Sequence, residues 1–413
     1  MPFAFYRLRN THIVLLVVLT LIGNVAYAST SSRIDYQVAF LPREKSAEVR
    51  IEIDRADWLK QVRFNLKKHD LKDIKHSGKI EHNGGELVWR PQKKGKAFFS
   101  YKIPLNHQRS SGGYDAYITD DWTLLRGEHL VPPITASRIK KREREVYIQF
   151  SLPEKWTSVN AGWVPTENRQ VFILNKPDRI LPRPDGWVIA GQLGTRREQM
   201  NKTLLTVSAP RGHNFRQMEL TTFLGLIWKQ LDGLFANMPE NLLIAGASDP
   251  MWRGGLSSPT SLYMHSDRPL VSENGTSTVL HELFHVISGI HGKNDHDWIA
   301  EGLAEYYSVE LLFRAGGFSS ERREKIFSGL AEWGKNVKTL RQDRSSGPVT
   351  ARAAVFFNEL DQEIQKKSSG SYRLDNLLPK LVETKYVELA DLQKQYKALL
   401  GVDSPLLNGA LVK

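Results

Sequence analysis

Thr276-Ser277-Thr278-Val279-Leu280-His281-Glu282-Leu283-Phe284-His285, followed after a short loop by Trp298-Ile299-Ala300-Glu301-Gly302-Leu303-Ala304-Glu305-Tyr306-Tyr307, decides how the rest of the chain is read. His281 and His285 are four residues apart, so on a helix both imidazoles leave one face, about 6 Å from each other. Two neutral nitrogens at that spacing can share one metal ion, and Glu282 then sits beside the ion, not on it. A zinc hydrolase needs that division of labour: nitrogen ligands that hold the ion, and a separate carboxylate that takes a proton from water. The Ser/Thr cluster at 276–278 offers an N-cap, Val279, Leu280, Leu283, Phe284, Val286 and Ile287 supply the apolar positions, and Gly289 a stop.

The second segment extends this reading. Glu301 and Glu305 are again i and i+4, on a stretch that is otherwise apolar, and two carboxylates on an apolar helix require partners. Glu301 is expected to complete a two-His-one-Glu zinc site with its fourth position open. Glu305 is expected to accept the other ring N–H of a ligating histidine. The competing readings are a solvated Glu305 and an amphipathic helix whose two histidines hold no metal.

At these residues the chain resembles the gluzincin metallopeptidases, and within them the glycyl aminopeptidase family and, more distantly, the alanyl-type aminopeptidase family. Both pair His-Glu-x-x-His with a downstream Trp-x-x-Glu-Gly-x-x-x-Tyr, matched here by Trp298 to Tyr306. The resemblance implies His281, His285 and Glu301 as ligands of one Zn²⁺ per chain, and Glu282 as general base. Fifteen residues separate His285 from Glu301, a shorter connection than is usual in the alanyl-type family. His291 lies where metzincins carry a third histidine, but Ser288 occupies their glycine position and no Met follows Met264, so His291 and His296 are read as loop residues.

Two further stretches carry the resemblance and depart from it. Trp252-Arg253-Gly254-Gly255-Leu256-Ser257-Ser258 stands where the alanyl-type family has Gly-x-Met-Glu-Asn, which lays its backbone against the peptide. Gly254, Gly255 and Leu256 are therefore expected to bind substrate. Ser257 takes the place of the glutamate that binds the substrate's amino terminus, which leaves exo- and endopeptidase action both open. Ala353 to Ile364 and Tyr372 to Leu378 resemble the helix and turn that follow the active site in the glycyl family, where a Tyr-x-Lys-Gly supplies the oxyanion tyrosine. Thr350-Ala351-Arg352-Ala353 stands there instead. Tyr306, Tyr307, Tyr372, Arg352 and His296 are the candidate replacement donors.

The fold class expected is α+β: a mainly β, sandwich-like N-terminal domain, a thermolysin-like zinc catalytic domain and a helical C-terminal region. Period-two alternation at Val49, Ile51 and Ile53 and at Val146, Ile148 and Phe150, with Leu87–Trp89, Phe98–Ile103 and Leu204–Val207, marks strands, and Asn83-Gly84-Gly85 a hairpin. From about Asn214 the period becomes helical, with Phe223, Leu224, Ile227, Trp228, Leu231 and Leu234 on one face. Strands at Leu242–Ala245 and Ser261–Met264 then precede the zinc helix. Domain limits of 29–210, 211–345 and 346–413 follow from these changes.

Met1 to Ala28 has Arg7 and Arg9, an apolar run from Ile13 to Gly23, and Ala26-Tyr27-Ala28 before Ser29, which reads as a secretory signal peptide. The run is short of the roughly 20 residues a bilayer span needs, so no stable membrane insertion is expected. An exported chain with no cysteine suits the bacterial periplasm or secretion. The net charge of +12 becomes +10 without Arg7 and Arg9, and no nucleic-acid motif accompanies the basic residues. The expected partner is a peptide or protein substrate. The function expected is that of an exported zinc metallopeptidase, with a zinc-binding, peptide-binding scaffold of the same fold and little or no turnover as the alternative.

Overall fold

The computed structural model describes residues 31–174, 176 and 178–413. The signal peptide expected at 1–28 lies outside the described residues. Ser32–Leu41 pairs antiparallel with Ser46–Ile53, putting Tyr36 opposite Ile51 and Val38 opposite Val49, and runs parallel to Arg144–Ser151. These strands are the middle of a seven-stranded sheet. A four-stranded sheet containing Leu59–Asn65 and Glu86–Arg90 shares one buried core with it. Phe64 of the smaller sheet stacks on Phe99 of the larger, centroids 4.7 Å apart. The expected hairpin at 83–85 is present, with Gly84 and Gly85 both at positive φ, which a two-residue turn between twisted strands requires.

A third sheet links the two halves of the molecule. In its strand Trp187–Gly191 every residue is buried, because Val188 and Ala190 face the N-terminal core while Trp187 and Ile189 face the other way. There they meet Leu243, Ala245 and Tyr263 of the next sheet. That next sheet is ordered Leu193–Met200, Thr203–Pro210, Asn241–Ala247, Ser261–His265, Gly255–Ser258, with Gly255–Ser258 antiparallel at its edge. The expected boundary at Pro210 is thereby corrected. Thr203–Pro210 runs parallel to Asn241–Ala247, so residues 193–210 belong to this five-stranded sheet although their alternation matches that of the preceding β strands. Strand pattern alone does not tell which sheet a strand joins.

Among the described residues, seven α-helices cover this sheet and extend beyond it: α1 (Gln217–Leu234), α2 (Thr278–Ser288), α3 (Asp297–Arg314), α4 (Ser320–Gly334), α5 (Pro348–Lys367), α6 (Leu378–Thr384) and α7 (Leu389–Leu400). They share one continuous core with the sheet's inner face. Helix α3 is nearly all buried, and α5 packs on its back at Gly302, where an added Cβ would lie 2.7 Å from the Ala353 Cβ and 2.9 Å from the Phe357 ring. The glycine after Glu301 thus lets α5 approach while Glu301 faces forward. Among the described residues no helix is long and apolar enough to cross a membrane.

Glu310, fully buried on α3, ties the helices together. It accepts from Arg314 Nε and Arg323 Nε, both at 2.8 Å, and lies 3.3 Å from Arg373 Nη2. Removing one member of a buried charge network leaves the others uncompensated. Glu310→Ala is expected to cost about 3–5 kcal/mol of stability, read from chemical denaturation of the purified chain.

Candidate metal centre

Helix α2 starts where its sequence indicates: the Ser277 hydroxyl accepts from the Leu280 N–H, and Gly289 ends the helix in the left-handed conformation, φ 58°. Between these caps His281 and His285 project from one face, their Nε2 atoms 3.2 Å apart. Helix α3 brings Glu301 against them, with Oε2 3.2 Å from His281 Nε2 and Oε1 3.3 Å from His285 Nε2. Glu305, one turn on, stands behind His281 with Oε2 3.0 Å from Nδ1. The four side chains are held by two rigid helices and none by a loop.

The donor set, two imidazole nitrogens and one carboxylate, fits zinc by type. Each imidazole faces its own Glu301 oxygen at 3.2–3.3 Å, and one ligand atom from each of the three side chains lies within 4.8 Å of the other two. The electrostatics agree. Burial alone would lower the His281 pKa, but the hydrogen bonds and charges of Glu301 and Glu305 outweigh it and hold the ring well above the usual imidazole range. Burial would raise Glu301, and the two imidazoles hold it well below the usual carboxylate range. The field at this point favours positive charge, which is what a dication requires.

Glu282 lies outside this triangle, against the edge strand. Its Oε2 accepts the Ser257 backbone N–H at 2.7 Å. A Cβ on Gly255 would come within 2.7 Å of Thr278 Cγ2 and 2.9 Å of Glu282 Cγ, so the strand and α2 can meet only at a glycine. Leu256, Ser257, His281, Glu282, His285 and Glu301 line one cleft of about 580 Å³. Of the three residues expected to bind substrate, Leu256 lines the cleft and Gly254 and Gly255 do not; Gly254 is covered from another side. The indole of Trp252 fills the space over it, 2.1 Å from where a Cβ would stand.

The expected oxyanion donors are elsewhere. Tyr306 and Tyr307 are fully buried on the far side of α3 and donate to Asp361 Oδ2 at 3.0 Å and Asp375 Oδ1 at 2.9 Å. Their role is to fasten α3 to α5 and to the 374–376 turn. Tyr372 is exposed and does not line the cleft; Arg352 pairs with Glu359 at 3.2 Å, and His296 Nδ1 bonds the Lys293 carbonyl at 2.9 Å. Two residues not expected at the site do line it: His291 and Asp297. His291 follows the helix stop by two residues, and Asp297 directly precedes the Trp298 motif. Burial, followed by the charge of His285, lowers the His291 pKa.

A second group with ligand chemistry, His107, Asp115 and His129, lies in the third sheet and the turn after it. Asp115 is buried, with Oδ1 2.5 Å from His107 Nδ1, and Oδ2 faced by Arg126 Nη2 at 3.6 Å and Arg109 Nη1 at 3.8 Å. His129 Nδ1 accepts the Arg126 N–H at 3.3 Å. Two guanidinium groups already supply the positive charge, so this cluster compensates a buried carboxylate without an ion.

With this geometry in place, the chain can be set beside known proteins. It shares its fold with the M1 zinc metallopeptidases. An aminopeptidase N family protein from Idiomarina loihiensis superposes with a TM-score of 0.66 at 14% identity, covering 85% of this chain and 70% of that one. An M1 zinc metallopeptidase from Deinococcus radiodurans gives 0.57 at 16% identity, covering 92% and 93%, and a mutant of it has been solved bound to a Tyr-Ser-Ala substrate. No protein-family model matches the sequence, and no curated protein matches it.

Two outcomes are expected from the site. Glu305→Gln keeps the shape but weakens the acceptor behind His281, and zinc affinity measured by chelator competition should fall about 10- to 100-fold. Gly255→Ala should destabilise the chain by about 1–3 kcal/mol in thermal melts, because the new methyl displaces Thr278 or Glu282.

Proposed function

We propose that the chain is a zinc-dependent peptidase that hydrolyses peptide bonds in the cleft between α2, α3 and the Gly255–Ser258 edge. The observation that carries this reading is the convergence of His281, His285 and Glu301, with contacts of 3.2–3.3 Å among the three side chains, next to a carboxylate, Glu282, that is not part of the cluster. His281, His285 and Glu301 would hold the ion. Zinc bound in such a set lowers the pKa of water and polarises a carbonyl.

The chain's own residues do the rest. Glu305 fixes the His281 ring with Nε2 turned to the site. Glu282, oriented by the Ser257 N–H, takes the proton of the attacking water and returns it to the leaving amine nitrogen. The Gly255–Ser258 strand stands at the edge of its sheet beside the cleft, the place where a peptide would be added. The general base is thus anchored to the strand that faces the substrate. Its partner in this reading is a peptide or protein, and the chain acts after export, in the periplasm or outside the cell, as its first 28 residues indicate.

A second reading is favoured by one observation: no tyrosine hydroxyl of the expected set lies in the cleft. In that case the chain binds zinc and peptides with little turnover. A digest of an unbiased peptide library with zinc-loaded protein separates the two. Cleavage is expected, and Glu282→Gln is expected to reduce it by at least about a thousandfold while retaining one zinc per chain. Equal cleavage by the mutant removes the assigned base, and zinc binding with no cleavage by the parent favours the scaffold.

A further inference from the structure

Peptide hydrolysis needs a donor for the carbonyl oxygen as it gains negative charge, and such a donor is effective only if preorganised. Among the described residues lining the cleft, the side chains with a donor, metal ligands apart, are Ser257, Ser258, Thr260 and His291. The first three belong to the hairpin that holds Glu282, and Thr260 spends its hydroxyl on the Pro259 carbonyl at 2.8 Å. His291 enters the cleft from the other end of α2, between its C-terminal stop and the first turn of α3.

Its backbone is fixed on both sides. The His291 N–H donates to the Lys385 carbonyl at 2.7 Å, and the Lys293 N–H to the Val387 carbonyl at 2.9 Å, so residues 291–292 form a short parallel ladder with 386–387. The ring stacks on Tyr386, centroids 5.6 Å apart and planes 30° from parallel. Gly292 allows this path, since a Cβ there would stand 2.3 Å from the His296 carbonyl oxygen. The ladder bonds fix the backbone that carries the imidazole, and the exposed ring rests on the exposed Tyr386.

Resting on the peptidase reading, the geometry points to His291 as a catalytic residue that donates a ring N–H to the substrate carbonyl oxygen. Glu282 works from the strand end of the cleft and His291 from the loop end, with the metal ligands between. The N–H stays on the imidazole throughout: the water's proton goes to Glu282 and then to the leaving nitrogen, and no further reactant is needed.

The test uses the zinc-loaded full chain and the variants His291→Ala and His291→Gln, with zinc content checked in each. For a peptide cleaved in the library digest, His291→Ala should lower kcat about a hundredfold with KM within about threefold, and His291→Gln, which keeps a donor, should recover part of the loss. Affinity for a phosphinic peptide, whose tetrahedral oxygens imitate the charged intermediate, should weaken by a similar factor in calorimetry. An unchanged kcat, or a loss confined to KM, overturns the assignment. Unchanged phosphinic-peptide affinity overturns it as well, and does so even if the parent cleaves nothing, the result that would instead sink the peptidase reading itself.

Discussion

Two partly buried carboxylates facing two partly buried imidazoles across one helix–helix contact are the constraint on which the structure of the site depends. Glu301 and Glu305 stand on a helix whose other surfaces are buried, and unpaired charge in such a place is strongly unfavourable. Histidines at i and i+4 on the neighbouring helix answer both carboxylates at once. Glu301 meets the two Nε2 atoms and Glu305 the one Nδ1 that remains on that side. This fixes the rotation of α2 and α3 relative to each other. A turn of either helix by one residue, about 100°, would separate all four groups.

The surroundings serve that contact. Gly302 lets α5 support α3 from behind, Tyr306 and Tyr307 bind α3 to Asp361 and Asp375, and Glu310 gathers three arginines. On the other side Gly255 lets the edge strand touch α2 so closely that its backbone orients Glu282. Glu282 and the cluster of His281, His285 and Glu301 are therefore positioned by different neighbours.

The helical half was the most legible part of the sequence, since each piece is local. Capping at Ser277 and Gly289, the i, i+4 pairs, and the apolar periodicity of α1 are all read within one turn or two. The misreading of the tyrosines concerned side chains whose partners are far away in the chain. Tyr306 and Tyr307 follow Glu301 by five and six residues, about 1.4 and 1.7 turns of helix, which rotates their hydroxyls away from it to Asp361 and Asp375, 55 and 68 residues on. Gly254 sits beside Gly255 but in the bend that precedes the strand, where the Trp252 ring covers it.

The amino-acid sequence by itself determined the helix that carries His281 and His285, the carboxylates that answer them, and the β-then-α order of the chain, because these follow from short-range periodicity and the chemistry of single side chains. Only the tertiary structure decided that residues 193–210 join the sheet of Asn241–Ala247, that the Ser257 N–H holds Glu282, and that His291 reaches the cleft by way of the 386–387 strand. Those three depend on which distant backbone a segment pairs with, and hydrogen bonds between remote backbones leave no mark on side-chain pattern.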